Sequence, residues 1–198
     1  AIIGVAEMYA EKGNHIITTT IEHKAILDSC HVLETEGFEV TYLGVDKYGQ
    51  VNPQDVKNAI TSKTILVSIM AANNEVGTIN PIAEIGAICK SAGVFFHTDA
   101  VQAQGKIKLD VLAMGVDLMS LSAHKMYGPK GIGALYVRRR PRVRIEPILS
   151  GGGQERGLRS GTLAPALCIG LGAAAKLCKQ EMKRDGEWVK HLSLRLRQ

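Results

Sequence analysis

The sequence predicts an α/β fold with a mostly parallel sheet flanked by helices. Short runs rich in β-branched residues alternate along the chain with longer segments of helical periodicity. No linker long enough to separate two domains interrupts this alternation, so we expect one sheet with right-handed crossovers. The chain has 198 residues, 45% of them hydrophobic and 22% charged, which suffices for one domain with a sizeable core.

The elements follow one another in a regular order. The predicted strands are residues 15–20, 39–43, 64–70, 94–98, 116–121 and 132–138. The predicted helices are residues 1–12, 24–36, 53–60, 81–91, 110–114, 164–182 and 187–198. Asn52 is placed to cap the helix that Pro53 opens, and Gly93 is placed to end helix 81–91.

Charge and hydropathy exclude some classes of protein. We expect no membrane association, because the longest apolar run, residues 163–175, is too short and too rich in Gly and Ala to span a bilayer. Much of the net charge of +5 lies in residues 138–144, five of which are arginine. This run predicts either a solvated edge strand or a surface for an acidic partner. No aromatic residue interrupts it, so nucleic acid is not expected as the main ligand.

Four cysteines occur, and they form neither a CxxC pair nor a metal-ligand spacing, so we expect no metal site. They are Cys30, Cys89, Cys168 and Cys178. We expect structural thiols in a reducing compartment.

Polar side chains follow four of the predicted strands, where open α/β sheets bind their ligands. In chain order they are His23, Asn74, Asp99 with Gln102, and Ser122 with His124 and Lys125. Any one of them has an ordinary explanation, such as a surface lysine, a helix-capping aspartate or a turn asparagine. His97 is expected to be a structural histidine. The occurrence of the whole set at successive strand ends favours a shared site.

Pyridoxal 5'-phosphate (PLP) is a cofactor that needs this set of groups. Lys125 would form a Schiff base with its aldehyde, and Asp99 would hold the proton on its pyridine nitrogen. His23 could stack on the ring, and Gln102 could face the same ring if the chain turns into a helix after Asp99. The remaining roles are phosphate binding by Ser122 and His124, and contact of Asn74 with the phenolic oxygen or the substrate carboxylate.

Five segments together resemble the cysteine desulfurases of iron–sulfur cluster assembly, which belong to the class V aminotransferases. They are residues 20–25 (TIEHKA), 73–77 (NNEVG), 97–102 (HTDAVQ), 122–131 (SAHKMYGPKG) and 151–162 (GGGQERGLRSGT). The resemblance covers essentially the whole chain in order, and the mitochondrial form is the most similar. The lysine segment alone would indicate only class V.

The resemblance implies the large domain of a PLP-dependent transferase of fold type I, in a homodimer. Residues 1–182 would form this PLP-binding domain, and residues 183–198 would begin a C-terminal small domain. The enzyme would convert L-cysteine to L-alanine and an enzyme persulfide, and would supply sulfur for iron–sulfur clusters and tRNA thiolation. The aspartate, glutamine, stacking histidine, phosphate-binding serine and histidine, and Schiff-base lysine of the family match Asp99, Gln102, His23, Ser122, His124 and Lys125. Thr162 matches a threonine that reaches the phosphate across the dimer interface.

The resemblance also implies partners and a location. Residues 139–144 resemble a surface where sulfur acceptors dock, which favours a functional role for the arginine run. The expected partners are an iron–sulfur scaffold protein, a frataxin-like protein and small accessory proteins, in the mitochondrial matrix or in a bacterial cytoplasm. We expect the chain to be an internal part of a longer protein. The family's Gly-rich phosphate turn would precede Ala1, and its persulfide cysteine would follow Gln198, so this part alone would be inactive.

Other functions remain open. A selenocysteine lyase or another class V aminotransferase would share the lysine chemistry. A non-catalytic scaffold would keep the fold, although intact Lys125, Asp99 and His23 argue against it. A nucleic-acid-binding α/β domain would use residues 138–144.

Overall fold

Six strands form a single sheet in the computed structural model, which describes residues 1–197. The strands are β1 (His15–Thr19), β2 (Glu39–Leu43), β3 (Thr64–Ser68), β4 (Phe95–Asp99), β5 (Leu118–Ser122) and β6 (Gly133–Val137). Their order across the sheet is β2-β1-β3-β4-β5-β6, with β6 antiparallel to β5 and every other pair parallel. The predicted α/β fold with a mostly parallel sheet is therefore confirmed.

Helices cover both faces of the sheet. They are α1 (Ile2–Tyr9), α2 (Lys24–Thr35), α3 (Pro53–Ala59), α4 (Ile82–Ala92) and α5 (Pro165–Leu196). One core cluster joins α1 and α2 to Ile16 of β1 and Leu66 of β3. A second joins α3 and α4 to Ile17 and Val67, the neighbouring positions on the opposite face, and to Phe96 of β4. Because successive side chains of a strand point to opposite faces of the sheet, the same strands contribute to both cores.

Local capping explains where several helices begin and end. The side chain of Asn52 accepts a hydrogen bond from Gln54 N at 3.0 Å, as predicted for the start of α3. Gly93 adopts a left-handed conformation (φ +70°) that ends α4. His23 is the N-cap of α2, and its Nδ1 accepts from Ala25 N at 3.2 Å.

Two predictions about helices are wrong. Residues 110–114 form a turn, because Gly115 takes a left-handed conformation (φ +63°) after a single turn that Asp110 caps through Leu112 N and Ala113 N. The segments predicted as separate helices, 164–182 and 187–198, belong to one continuous helix, α5, which runs from Pro165 to Leu196. Gln198 lies outside the described residues. No Pro interrupts this segment after Pro165, and the helix continues through Asp185 and Gly186 although both are residue types common at helix ends.

The prediction of an extended edge strand over the arginine run is wrong as well. β6 ends at Val137, and a tight turn at Arg140 and Pro141 then pairs Arg139 with Arg142. Proline cannot donate to a strand ladder, which accounts for the change of direction. Arg138 forms an ion pair with the buried Asp117 at 2.7 Å, whereas the other four arginines are exposed.

The segment after β6 is sparsely packed. Of residues 138–197, only Val143, Ser160 and Ala174 are buried. Among the described helices, none combines the length and hydropathy needed to cross a membrane.

Candidate functional site

Four parallel strands deliver the predicted residues to one edge of the sheet. β1, β3, β4 and β5 are neighbours in that order, so the loops that follow them lie side by side. The pairing continues past β3, where Ala71 N donates to Asp99 O at 2.8 Å. The structure thus brings together the strand ends that carry His23, Asn74, Asp99 and Ser122.

Asp99 is the acidic group of this edge. It is half-buried at the end of β4, and its Oδ1 accepts a hydrogen bond from Val101 N at 2.8 Å. Within the described residues, Oδ2 accepts none, so one carboxylate oxygen is free for a cationic partner. Burial raises the pKa of Asp99, while the hydrogen bond from Val101 and the charge of nearby His23 oppose the rise. A bound cation would therefore satisfy this carboxylate.

Lys125 lies on a short 3₁₀ helix, Ala123–Met126, directly after β5. Ala123 and Met126 are buried and anchor the turn, which leaves Lys125 and His124 exposed. Ser122 Oγ and His124 Nδ1 are 2.8 Å apart, so a hydroxyl and an imidazole sit together one residue from the lysine. This pair can bind an anion beside an amine.

Helix α5 supports this turn from behind through small side chains. Ala174 packs against Gly128, where an added Cβ would lie 3.1 Å from the Ala174 Cβ. A Cβ on Gly170 would lie 2.8 Å from Pro129 Cγ, so only glycine permits this approach. Cys178 Sγ contacts Met126 O at 3.8 Å. The small residues bring the helix close enough to hold the backbone that presents Lys125.

His23 and Asn74 border a cleft of about 1000 Å³ over the ends of β1 and β3. His23 is exposed, and Asn74 is half-buried with its Nδ2 donating to Glu75 Oε1 at 2.8 Å. Asp99 and Lys125 do not line this cleft. The cleft therefore includes the predicted site residues that follow β1 and β3, but not those that follow β4 and β5.

Two predicted site residues, Gln102 and Thr162, have few hydrogen bonds in the described part of the chain. Gln102 lies in a helical turn that follows Asp99, as the chemical argument required, and its Oε1 accepts from Lys106 Nζ at 3.3 Å. Thr162 is exposed in the loop before α5. Within residues 1–197, no hydrogen bond joins Thr162 to the strand-end residues.

Three polar residues that the sequence did not single out hold these loops together. Gln104 bonds to the Ser122 backbone in both directions, donating to its carbonyl and accepting from its N–H at 3.1 Å. Glu22 and Asn73 connect the loops after β1 and β3. Their only sequence signal is that each stands within two residues of a predicted site residue.

His97 has a structural role, as expected. Its Nδ1 and Nε2 bond to Ser68 Oγ at 2.8 Å and Ser120 Oγ at 2.9 Å, which links β3, β4 and β5. Burial lowers its pKa to about 3, so the ring stays neutral at ordinary pH. It forms part of the rigid base beneath Asp99.

Cys30 and Cys89 are fully buried, and burial raises the pKa of each thiol to about 12. Because the thiolate is the nucleophile, these two cysteines are unreactive. Cys168 and Cys178 are half-buried, and all four are free thiols.

Comparison with known proteins identifies the family. The class-V aminotransferase family model matches residues 1–197. The chain is 63% identical over 196 residues to a probable mitochondrial cysteine desulfurase of Dictyostelium discoideum, covering 99% of this chain and 44% of that protein. It is 62% identical to the mitochondrial cysteine desulfurase of Drosophila melanogaster, covering 99% and 42%.

Solved structures agree in fold. A NifS-like protein superposes with a TM-score of 0.93 at 42% identity, covering 98% of this chain and 53% of that one. A structure described as SspA in complex with cysteine has a TM-score of 0.85 at 47% identity, covering 88% and 50%. The chain thus spans less than half the length of these curated relatives and about half of these solved chains. By its sequence and by the order of its sheet, this chain belongs to the class-V aminotransferase family, whose members depend on PLP.

Proposed function

We propose that this chain supplies the PLP-binding machinery of a cysteine desulfurase that converts L-cysteine to L-alanine. The observation that carries the proposal is the convergence of Asp99, the Ser122–His124 pair and the Lys125 turn at adjacent strand ends. The names of the relatives support the choice of cysteine as substrate.

The residues at this edge fit PLP. The free oxygen of Asp99 suits a protonated ring nitrogen, because burial disfavours its charge without a cationic partner. The Ser122–His124 pair suits a phosphate, and the exposed Lys125 is free to condense with an aldehyde. When bound, PLP supplies that aldehyde and a conjugated ring that withdraws electrons from a substrate carbon.

Each residue then has a defined task. Lys125 would hold the cofactor covalently and would move a proton at the substrate carbon through Nζ. Asp99 would keep the ring nitrogen protonated. His23 would stack on the ring, and Gln102 would face the same ring. Asn74 orients the phenolic oxygen or the substrate carboxylate, and Thr162 reaches the phosphate of the second subunit in a homodimer.

The sulfur atom leaves by a thiol outside this set. A cysteine thiolate would attack the sulfur atom of L-cysteine, so that the S–S bond of the persulfide forms as the carbon–sulfur bond breaks. The electron pair of the broken bond would stay on the substrate carbon, which takes up a proton to give L-alanine. Cys30 and Cys89 are too deeply buried for this exchange. We therefore expect all four cysteines to be structural. Replacing them together should leave desulfuration largely intact, with some loss of stability from the core.

The wider setting is supported by the relatives. Their mitochondrial names support a mitochondrial matrix location. The exposed arginines at positions 139, 140, 142 and 144 form a basic turn suited to acidic sulfur acceptors, such as an iron–sulfur scaffold or frataxin-like protein. We propose that residues 183–198 begin the small domain, although α5 enters them without a break.

The test is an assay of the full-length protein with L-cysteine and a thiol reductant. We expect equal amounts of alanine and sulfide, loss of both in Lys125→Ala, and retention in Lys130→Ala, which alters an exposed lysine five residues away. Turnover of selenocysteine alone would support a selenocysteine lyase. Amino transfer to a keto acid would support an aminotransferase. Absence of all three activities would contradict the proposal and favour a non-catalytic scaffold.

A further inference from the structure

Glu22 is a buried carboxyl group next to the exposed His23 of the candidate site, and the proposed function gives it no task. Only 5% of its surface is exposed, whereas His23 beside it is open to solvent. Its Oε1 accepts hydrogen bonds from Thr19 Oγ1 and from Met70 N, both at 2.9 Å. Thr19 ends β1 and Met70 follows β3, so this one oxygen joins two strand ends. Its Oε2 is buried and has no partner among the described residues.

Asn73 makes the return connection. Its Nδ2 donates to Ile21 O at 2.9 Å, across to the loop after β1. Its Oδ1 accepts from Glu75 N at 2.8 Å and Val76 N at 2.9 Å, which shapes the turn that carries Asn74. Each loop thus sends one side chain to the backbone of the other.

We propose that Glu22 and Asn73 are positioning residues that clasp the loop after β1 to the loop after β3 and so place His23 against the cofactor ring. The inference rests on the proposed function, because it needs a ring for His23 to stack on. Among the described residues, the His23 side chain makes one hydrogen bond, which its Nδ1 accepts from Ala25 N at 3.2 Å. The position of its imidazole is therefore set mainly by the backbone that the clasp fixes.

The charge state of Glu22 agrees with this role. Burial raises its pKa to about 8, opposed by the hydrogen bonds from Met70 and Thr19, and the charge of Asp99 adds to the rise. A negative charge on Glu22 also contributes to the raised pKa of the nearby Cys30 thiol. A neutral carboxyl group keeps a second negative charge away from Asp99. Because a neutral Glu22 resembles glutamine, and glutamine retains the accepting oxygen, we expect Glu22→Gln to keep the hydrogen bonds of the clasp.

Hydrogen exchange of the full-length protein tests the clasp without depending on activity. Glu22→Ala should speed exchange in residues 70–76, and Asn73→Asp should speed it in residues 19–24. Each change should be about fivefold, as expected for one hydrogen bond lost between the two loops. Asn73→Asp keeps the oxygen that shapes the turn and loses the donor to Ile21 O, together with the 3.4 Å hydrogen bond to Met70 Sδ on its own side of the clasp. Glu22→Gln should leave both segments protected.

Asn14→Asp is the matched control. Asn14 Nδ2 also donates to a backbone carbonyl, that of Gly37 at 3.2 Å, but it stands before β1 at the opposite edge of the sheet. This change should leave both loops unaltered. Unchanged exchange in the two loops of Asn73→Asp and Glu22→Ala would overturn the clasp. If Glu22→Ala does not fold, Asn73→Asp decides alone.

The visible circular dichroism of bound cofactor tests the positioning role. We expect Asn73→Asp to bind cofactor at Lys125 in full amount but to lose dichroism per cofactor, because the ring loses its stacked neighbour. Glu22→Gln should keep the wild-type signal. Faster exchange with unchanged dichroism would overturn the positioning role. If the wild-type protein binds no PLP at Lys125, the proposed function fails, and the exchange data still decide on the clasp.

Discussion

Residues 1–137 and residues 138–197 of this chain differ in how much of each region is buried and hydrogen-bonded within the chain. In the first region, one sheet and helices α1–α4 enclose two cores, and side chains such as Glu22 and Gln104 tie the loops at the strand ends. In the second, three residues are buried, although it contains the 32-residue helix α5. The chain therefore fixes Asp99 and Ser122 with its own hydrogen bonds, whereas Thr162 is exposed in the loop before α5.

The largest expected effect concerns the core of the first region. Phe96 is fully buried on β4. Phe96→Ala in the full-length protein should lower the free energy of unfolding by about 3–5 kcal/mol, through lost burial and a residual cavity. Denaturant titration measures this difference.

Trp188→Ala measures how much a side chain of the second region contributes to the free energy of unfolding. Trp188 lies on α5 with 62% of its surface exposed. In this 198-residue chain by itself we expect a change within about 0.5 kcal/mol. A loss in this chain as large as that of Phe96→Ala would contradict the contrast between the two regions.

The pH dependence of stability tests the buried carboxyl group of the first region. Burial raises the folded-state pKa of Glu22 from 4.5 to about 8, so the folded state holds a proton that the unfolded state releases. The stabilisation from protonated Glu22 is complete below the pKa of the unfolded state and is lost as pH rises through the pKa of the folded state. The free energy of unfolding should therefore decrease with pH between these two pKa values, by up to about 1.4 kcal/mol per pH unit.

Glu22→Gln removes this slope, because an amide does not titrate. The difference between wild type and Glu22→Gln should grow in favour of the variant as pH rises, and taking the difference cancels the opposite effect of His97, whose pKa burial lowers. Parallel titration curves for the two proteins would contradict a neutral Glu22.

The same substitution in two helices compares the two regions by the sign of its effect. A Cβ on Gly86 of α4 would overlap the Met114 carbonyl oxygen, so Gly86→Ala should cost about 1–3 kcal/mol. Gly172 of α5 has open space around it, so Gly172→Ala should stabilise by about 0.5–1 kcal/mol through helix propensity. Thermal unfolding of both variants measures the sign. Equal signs would show that the two helices are packed alike.

The sequence predicted the sheet and the strand-end residues because both depend on local patterns. β-Branched runs mark the strands, and the rule for parallel sheets then places the residues at their carboxyl ends along one edge. Glu22 and Asn73 were missed because their partners lie 48 and 52 residues away, a separation that no local pattern reports. The turn at residues 110–114 was missed because an aspartate cap resembles a helix start even when Gly115 ends it at once.

The most direct test of the central claim is to locate the covalent attachment of the cofactor. The full-length protein is reduced with borohydride, digested and analysed by mass spectrometry, with Asp99→Ala and Lys130→Ala treated in parallel. The strand-end site predicts cofactor mass on the peptide that contains Lys125 in all three proteins, and none in Lys125→Ala. Attachment to another lysine, such as Lys24 beside His23, would contradict the site described for this chain.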